Sequence, residues 1–233
     1  ISEDVPPYII AEISANHNGH LENALKIIDM AKRCGADAVK MQTYTPDTIT
    51  LNSTHDDFVI KDGLWKGRTL HQLYEWAHTP WDWHAEMFAY AKDVGITLFS
   101  TPFDHTAIAL LEELDTPAYK MASFECTDLN LIKLAATTKK PLIISTGMAN
   151  DLEIGEAVNT ALKFGSGELT LLHCVSGYPS PPGEYNLRTI ADMKKRFGVN
   201  VGLSDHTLNN VTSITAVALG AVMIEKHVTL DRN

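Results

Sequence analysis

Eight short apolar runs, separated by longer stretches of helical period, constrain this chain more than any other feature. Tyr8-Ile9-Ile10-Ala11-Glu12-Ile13 is the first run. The stretch after it, 21–34, sets Leu21, Ala24, Leu25, Ile28 and Ala31 on one helical face, with Gly35 placed to close the helix. Further strands are expected at 38–44, 97–103, 118–123, 141–146, 169–175, 200–206 and 222–230. Helices are expected at 80–94, 105–114, 129–137, 151–164, 187–197 and 209–219. Crossovers of that length return the chain to a parallel neighbour, so the pattern is α/β, and eight units point to a (β/α)8 TIM barrel. A doubly wound open sheet is the rival. No GxGxxG follows the first run, however, and no change of composition divides the chain in two.

The whole of 1–233 then reads as one catalytic barrel domain that stops after its eighth strand, before a closing helix. The edges of the first and last strands would lack their outer cover, so this segment alone is expected to be poorly stable. Residues 45–79 break the spacing between the second and third strands. An insertion there lies over the catalytic face, as a lid or specificity loop, or is surface decoration.

With 233 residues, 45% hydrophobic and 21% charged, the chain is long enough for a sizeable core and is near the globular average. Nineteen Lys+Arg against 29 Asp+Glu give a formal charge of −10, which argues against nucleic acid as a partner. No apolar run approaches a membrane span, and no charged-then-apolar leader opens the chain. Cys34, Cys126 and Cys174 are widely spaced and form no CxxC, which suits a reducing, cytoplasmic compartment.

Alternate side chains of a barrel strand point inward, and strand ends meet at the active-site face. Read by that parity, the ends carry Glu12 and Ser14, Lys40 and Gln42, Thr101, Lys120 with Ser123 and Glu125 just beyond, Ser145, Ser176 and Tyr178, His206, and Glu225 with His227. Charges converging from so many strands are costly to bury without partners, and an anion site gives them a reason to exist. A solvated barrel rim is the bland alternative. His206 and His227 end adjacent strands and could share a divalent metal, Mn, Fe or Zn suiting two imidazoles plus oxygen better than Mg. Lys40 and Lys120 admit two chemistries, Schiff-base formation with a carbonyl or the holding of a phosphate and a carboxylate. They could also simply pair with Glu12 or Glu125.

The stretches IIAEISANHNG at 9–19, ADAVKMQTY at 36–44, FSTPFD at 99–104, PAYKMASFE at 117–125, KPLIISTGM at 140–148, LLHCVSGYPSPP at 171–182, VGLSDHT at 201–207 and IEKHVTLDRN at 224–233 resemble the sialic acid synthase family. These are the phosphoenolpyruvate-dependent synthases of nonulosonic acids. GLWKGRTLHQLYEWAHTPWDWH at 63–84 and SFE at 123–125 look like the pseudaminic acid branch of that family. The resemblance implies a carbon–carbon bond-forming transferase that condenses phosphoenolpyruvate with an open-chain acetamido sugar and releases phosphate. In that branch the sugar is a 2,4-diacetamido-2,4,6-trideoxy hexose of altro configuration. Lys40, Lys120, Ser123, Ser145, Thr101, Ser176 and Tyr178 would hold phosphoenolpyruvate. His206 and His227 would ligate the cation, Mn²⁺ or else Mg²⁺ or Co²⁺. Glu12, with Gln42 beside it, would orient the sugar or handle a proton, and Glu125 is a further proton-transfer candidate. A homodimer and a C-terminal antifreeze-like domain, the latter absent from these 233 residues, are also implied. The alternatives are N-acetylneuraminate or legionaminate synthesis, a Schiff-base aldolase, and a non-catalytic ligand-binding barrel.

Overall fold

In the computed structural model, which describes every residue except Glu3, Leu64, Ser166 and Asn233, the eight runs form parallel strands that close into one barrel in chain order. Leu64 and Asn233, each within a family-like stretch, lie outside the described residues. The strands are β1 (Tyr8–Glu12), β2 (Ala38–Thr43), β3 (Thr97–Pro102), β4 (Tyr119–Met121), β5 (Leu142–Ser145), β6 (Leu169–Cys174), β7 (Asn200–Asp205) and β8 (Met223–His227). Pairing of β1 with β8, from Tyr8↔Met223 to Glu12↔His227, closes the ring. The helices are α1 (Leu21–Arg33), α2 (Pro46–Ile49), α3 (Leu70–Ala77), α4 (His84–Val94), α5 (His105–Glu113), α6 (Leu129–Thr137), α7 (Asp151–Phe164), α8 (Thr189–Phe197) and α9 (Val211–Ala218). Among the described residues, none is long and apolar enough to cross a membrane.

Local chemistry sets where several helices begin. Asp104, Asp128 and Asn150 accept hydrogen bonds from first-turn amides of α5, α6 and α7, and the Asn150 amide donates in turn to the Glu153 carboxylate. The outward faces of β1 to β3 pack Ala11, Ile13, Val39, Met41 and Leu98 against α1 and α4. Each fully buried Ile, Leu or Met side chain there contributes about 1.5–3 kcal/mol.

The inward faces are layered. A lower layer of Ile10, Ala38, Phe99, Ile143, Leu172 and Met223 plugs the barrel. Gly202 completes it from β7 because nothing larger fits: a Cβ there would lie 2.8 Å from both Leu172 Cδ2 and Met223 Cβ, and 2.3 Å from the Met223 carbonyl. Two residues further along each strand, every side chain changes character. Glu12, Lys40, Thr101, Lys120, Ser145, Cys174, Ser204 and Glu225 form a buried polar layer on top of the plug.

Several expected boundaries shift by one or two residues, among them the starts of α8 and α9, and three changes are larger. The eighth strand stops at His227 rather than 230, because the Thr229 hydroxyl donates to the Asp231 carbonyl and turns the chain out of the sheet. The helix expected from residue 80 begins at His84, after a tight turn at Trp81–Trp83 in which the His84 ring bonds back to the Pro80 carbonyl. β4 is cut to three residues and keeps only the Ser100↔Tyr119 pair with β3.

The insertion at 45–79 folds into α2, a short turn at Asp56–Phe58 and α3, with one antiparallel bridge between Val59 and Thr69. Its two ends are tied together over the barrel mouth. Trp81 Nε1 donates to the Tyr44 carbonyl at 3.2 Å, and Thr79 Oγ1 meets His17 Nε2 at 3.3 Å in the loop after β1.

Candidate active site

The polar layer is an ion network built from separate strands. Lys40 Nζ lies 2.8 Å from Glu12 Oε2 and 3.5 Å from Glu225 Oε1, and it donates to Thr101 Oγ1 at 3.1 Å. Burial alone would pull the Lys40 ammonium down, but the charges of Glu12 and Glu225 outweigh it and hold its pKa above the ordinary lysine value. Lys120 sits differently. Its Nζ donates to Ser145 Oγ at 2.6 Å and to the Met121 carbonyl at 2.9 Å, with no ion-paired carboxylate among the described residues, and burial lowers its pKa. Neither lysine pairs with Glu125.

A cavity of about 50 Å³ lies on this layer. Of the residues expected from the sequence, Glu12, Lys40, Gln42, Lys120, Ser123, Ser145, Tyr178, His206 and His227 line it. Thr101 does not. It is fully buried and accepts the Lys40 ammonium's hydrogen bond within the layer. Ser176 also stands off the cavity, beside Gly147. A Cβ on Gly147 would come within 2.7 Å of Ser176 Oγ and 3.0 Å of Ser123 Oγ, so that backbone can approach only as glycine. The Gly147 amide donates to Ser123 Oγ at 3.1 Å.

Ser204 and Cys174 line the cavity as well, unselected from the sequence, and so does Glu225, which the strand-end parity picks out but to which no site role was given. The signal was present, since each stands two positions before a selected one. Glu225 Oε2 is buried with no hydrogen-bond partner among the described residues.

A wider cleft of about 650 Å³ opens outward and shares Tyr178, His206 and His227 with the inner cavity. Asn16, Asn18 and Arg232 also line it. The imidazoles of His206 and His227 lie side by side, ring centroids 5.5 Å apart, with the Tyr178 ring 4.1 Å from the first and 5.7 Å from the second. Burial keeps both neutral, His206 below the usual histidine range and His227 at about 4. His206 Nδ1–H donates to the Val175 carbonyl at 2.8 Å, which makes Nε2 the acceptor nitrogen, with the Ser204 hydroxyl 3.5 Å from it. Among the described residues no third His, Cys, Asp or Glu converges on the pair, so any metal held here would take its other ligands from water and substrate.

Glu125 lies on the turn Phe124–Thr127 after β4, outside the inner cavity. Its Oε2 is buried and unpartnered among the described residues, and burial pushes its carboxyl up to about 6. Tyr74 of α3 feels its charge and also stacks edge-on against Tyr44 at 5.7 Å. Through Tyr74 the insertion thus meets the segments that follow β2 and β4.

A parallel barrel with an ionised layer at the carboxyl ends of its strands defines a (β/α)8 enzyme. Comparison with known proteins gives the family: residues 27–233 match the NeuB family, and the chain belongs to it. It is thereby a carbon–carbon bond-forming synthase. The pseudaminic acid synthase of Campylobacter jejuni is 48% identical over 230 residues, covering 99% of this chain and 67% of that protein. That of Helicobacter pylori is 46% identical over 228 residues, covering 98% and 67%. The solved N-acetylneuraminic acid synthetase of Leptospira borgpetersenii superposes with a TM-score of 0.87 at 31% identity, covering 98% of this chain and 75% of that one.

Proposed function

We propose that the chain condenses phosphoenolpyruvate with 2,4-diacetamido-2,4,6-trideoxy-altropyranose in its open-chain form, making pseudaminic acid. The observation that carries this reading is the polar layer with its two cavities: a small one floored by two lysines, and a larger one beyond two neutral imidazoles. Lys40, Lys120, Ser123 and Ser145 hold phosphate and carboxylate in the inner cavity, with Ser176 and the Gly147 backbone placed behind Ser123. The sugar occupies the outer cleft against Tyr178. Carbon 3 of phosphoenolpyruvate attacks the aldehyde carbon, water adds at carbon 2, and phosphate leaves with its bridging oxygen by C–O cleavage. Glu12 and Gln42 orient the sugar, and Glu125 takes up a proton.

His206 and His227 fit a divalent cation, Mn²⁺ in our reading, because both rings are neutral and His206 Nε2 carries no proton, only a long 3.5 Å contact with the Ser204 hydroxyl. Such an ion supplies Lewis-acid polarisation of the aldehyde. A homodimer in the cytoplasm is the setting that the family resemblance implies.

The test is phosphate release with phosphoenolpyruvate, Mn²⁺ and a panel of the altro sugar, its legionaminate counterpart and N-acetylmannosamine. Preference for the altro sugar by at least tenfold in kcat/KM supports the reading, and preference for another member overturns it. Phosphate release that needs no sugar would indicate a different reaction. One observation favours a second reading: Lys120 is buried without a carboxylate partner and its pKa is lowered, as a Schiff-base lysine requires. Borohydride reduction during turnover separates the two, since only a Schiff-base enzyme leaves a covalent adduct on Lys120.

A further inference from the structure

His206 sits one residue beyond the end of β7, where the last registered pair with β8 is Asp205↔Lys226. Its amide therefore has no strand carbonyl to donate to. Burial of an unpaired amide is costly, so something must take that hydrogen bond.

Tyr185, in the loop between β6 and α8, does so. The His206 N–H donates to the Tyr185 hydroxyl at 2.7 Å. Tyr185 is fully buried, with its own carbonyl 2.5 Å from His173 Nε2 and the two rings edge-on at 6.3 Å. Packing alone would be served equally by phenylalanine; the hydroxyl accepts from the His206 backbone and also meets the Ser180 side chain. Two further bonds from the same loop complete the grip. The Ser180 amide donates to the His206 carbonyl at 3.1 Å, and the Val175 carbonyl receives Nδ1–H. Backbone position, peptide orientation and ring tautomer of His206 are thus set by three neighbours, of which Tyr185 is the one that acts through its side chain.

We infer that Tyr185 is a positioning residue for His206: its hydroxyl replaces the missing strand partner of the His206 amide and so aims Nε2 into the site. This rests on the reading of His206 and His227 as holders of a divalent cation. Outer groups that orient a ligating histidine are worth 10–100-fold in metal affinity.

The experiment is Mn²⁺ titration of the wild-type protein and of Tyr185→Phe, followed calorimetrically, beside phosphoenolpyruvate titration in the absence of metal. The expected result is a 10–100-fold weaker Mn²⁺ dissociation constant in the variant. Phosphoenolpyruvate affinity should change less than twofold, and kcat should recover at saturating Mn²⁺. Unchanged Mn²⁺ affinity overturns the inference. Parallel loss of both affinities also overturns it, since that is what a purely structural tyrosine would do. Failure of the wild type to bind Mn²⁺ overturns the metal reading itself, a different outcome. Should Tyr185→Phe not fold, hydrogen exchange in the wild type decides. The His206 amide should be protected and gain protection with Mn²⁺, and exchange as fast as in exposed residues 208–210 would refute the role.

Discussion

Lys40 and Lys120 look alike in the sequence and differ in the structure. Lys40 separates two buried carboxylates, whereas Lys120 bonds a hydroxyl and a carbonyl. Removing one partner of a buried ion network strands the others, at about 3–5 kcal/mol, while Lys120 makes no direct ion pair and steadies Glu225 and Glu12 through its charge alone. Lys40→Met should therefore lower stability by about that amount and Lys120→Met by less, with both abolishing turnover. Chemical denaturation read beside phosphate release checks this, and equal stability losses would contradict it. Glu125 gives a pH prediction. Its carboxyl ionises near 6, so a step that needs the carboxylate gains rate as pH rises through about 6. In Glu125→Gln that acid limb should vanish from the kcat/KM profile, and its persistence would exclude Glu125 from proton transfer. The charges were legible at this scale because Lys, Glu and His stand out in apolar runs. Ser204 was passed over because serine at a strand end is common. The contact of Lys40 with Glu225 depends on strand register around the closed ring, which no local pattern encodes.

Among the elements, the strands were the most legible, because strands buried on both faces read as continuous apolar runs. Their ends were less so. Val228 and Leu230 extend the apolar pattern past His227, but the turn at Thr229 takes them out of the sheet. The insertion was legible only as an interruption, since its fold depends on contacts that Tyr74 and Thr79, late in it, make with Tyr44 and His17, well before them in the chain. With both its ends tied at the barrel mouth, its middle is the exposed part: Lys61, Lys66 and Arg68 all face solvent. Brief trypsin treatment should cut there first and leave two fragments that co-elute with an intact barrel. Initial cleavage within the barrel helices would contradict this account of the insertion.

At the scale of the whole molecule, buried histidines couple folding to pH. His17 and His84 are almost wholly inaccessible, and burial lowers each to about 4 against about 6.5 in an unfolded chain. Between those values the unfolded chain binds the extra protons, so their stabilisation is complete above about pH 6.5 and is lost as pH falls towards 4. Each contributes on the order of 3 kcal/mol over that range. The melting temperature should fall steeply below pH 6.5. His84→Gln should flatten that dependence while lowering stability at pH 7, through its lost bond to Thr43 Oγ1. An unchanged slope would remove His84 from the coupling.

The pairing of β1 with β8 has a consequence in time. Tyr8 meets Met223, its neighbour in the ring, only after 215 further residues have been made. At roughly 5–20 residues per second, a ribosome needs roughly 10–40 s to cover that distance. Throughout that interval the first strand has one hydrogen-bonding edge without its native partner, and such an edge is a template for misassembly. The nascent barrel is therefore exposed to aggregation for most of its synthesis, and protection of β1 against exchange should appear only in chains long enough to include β8.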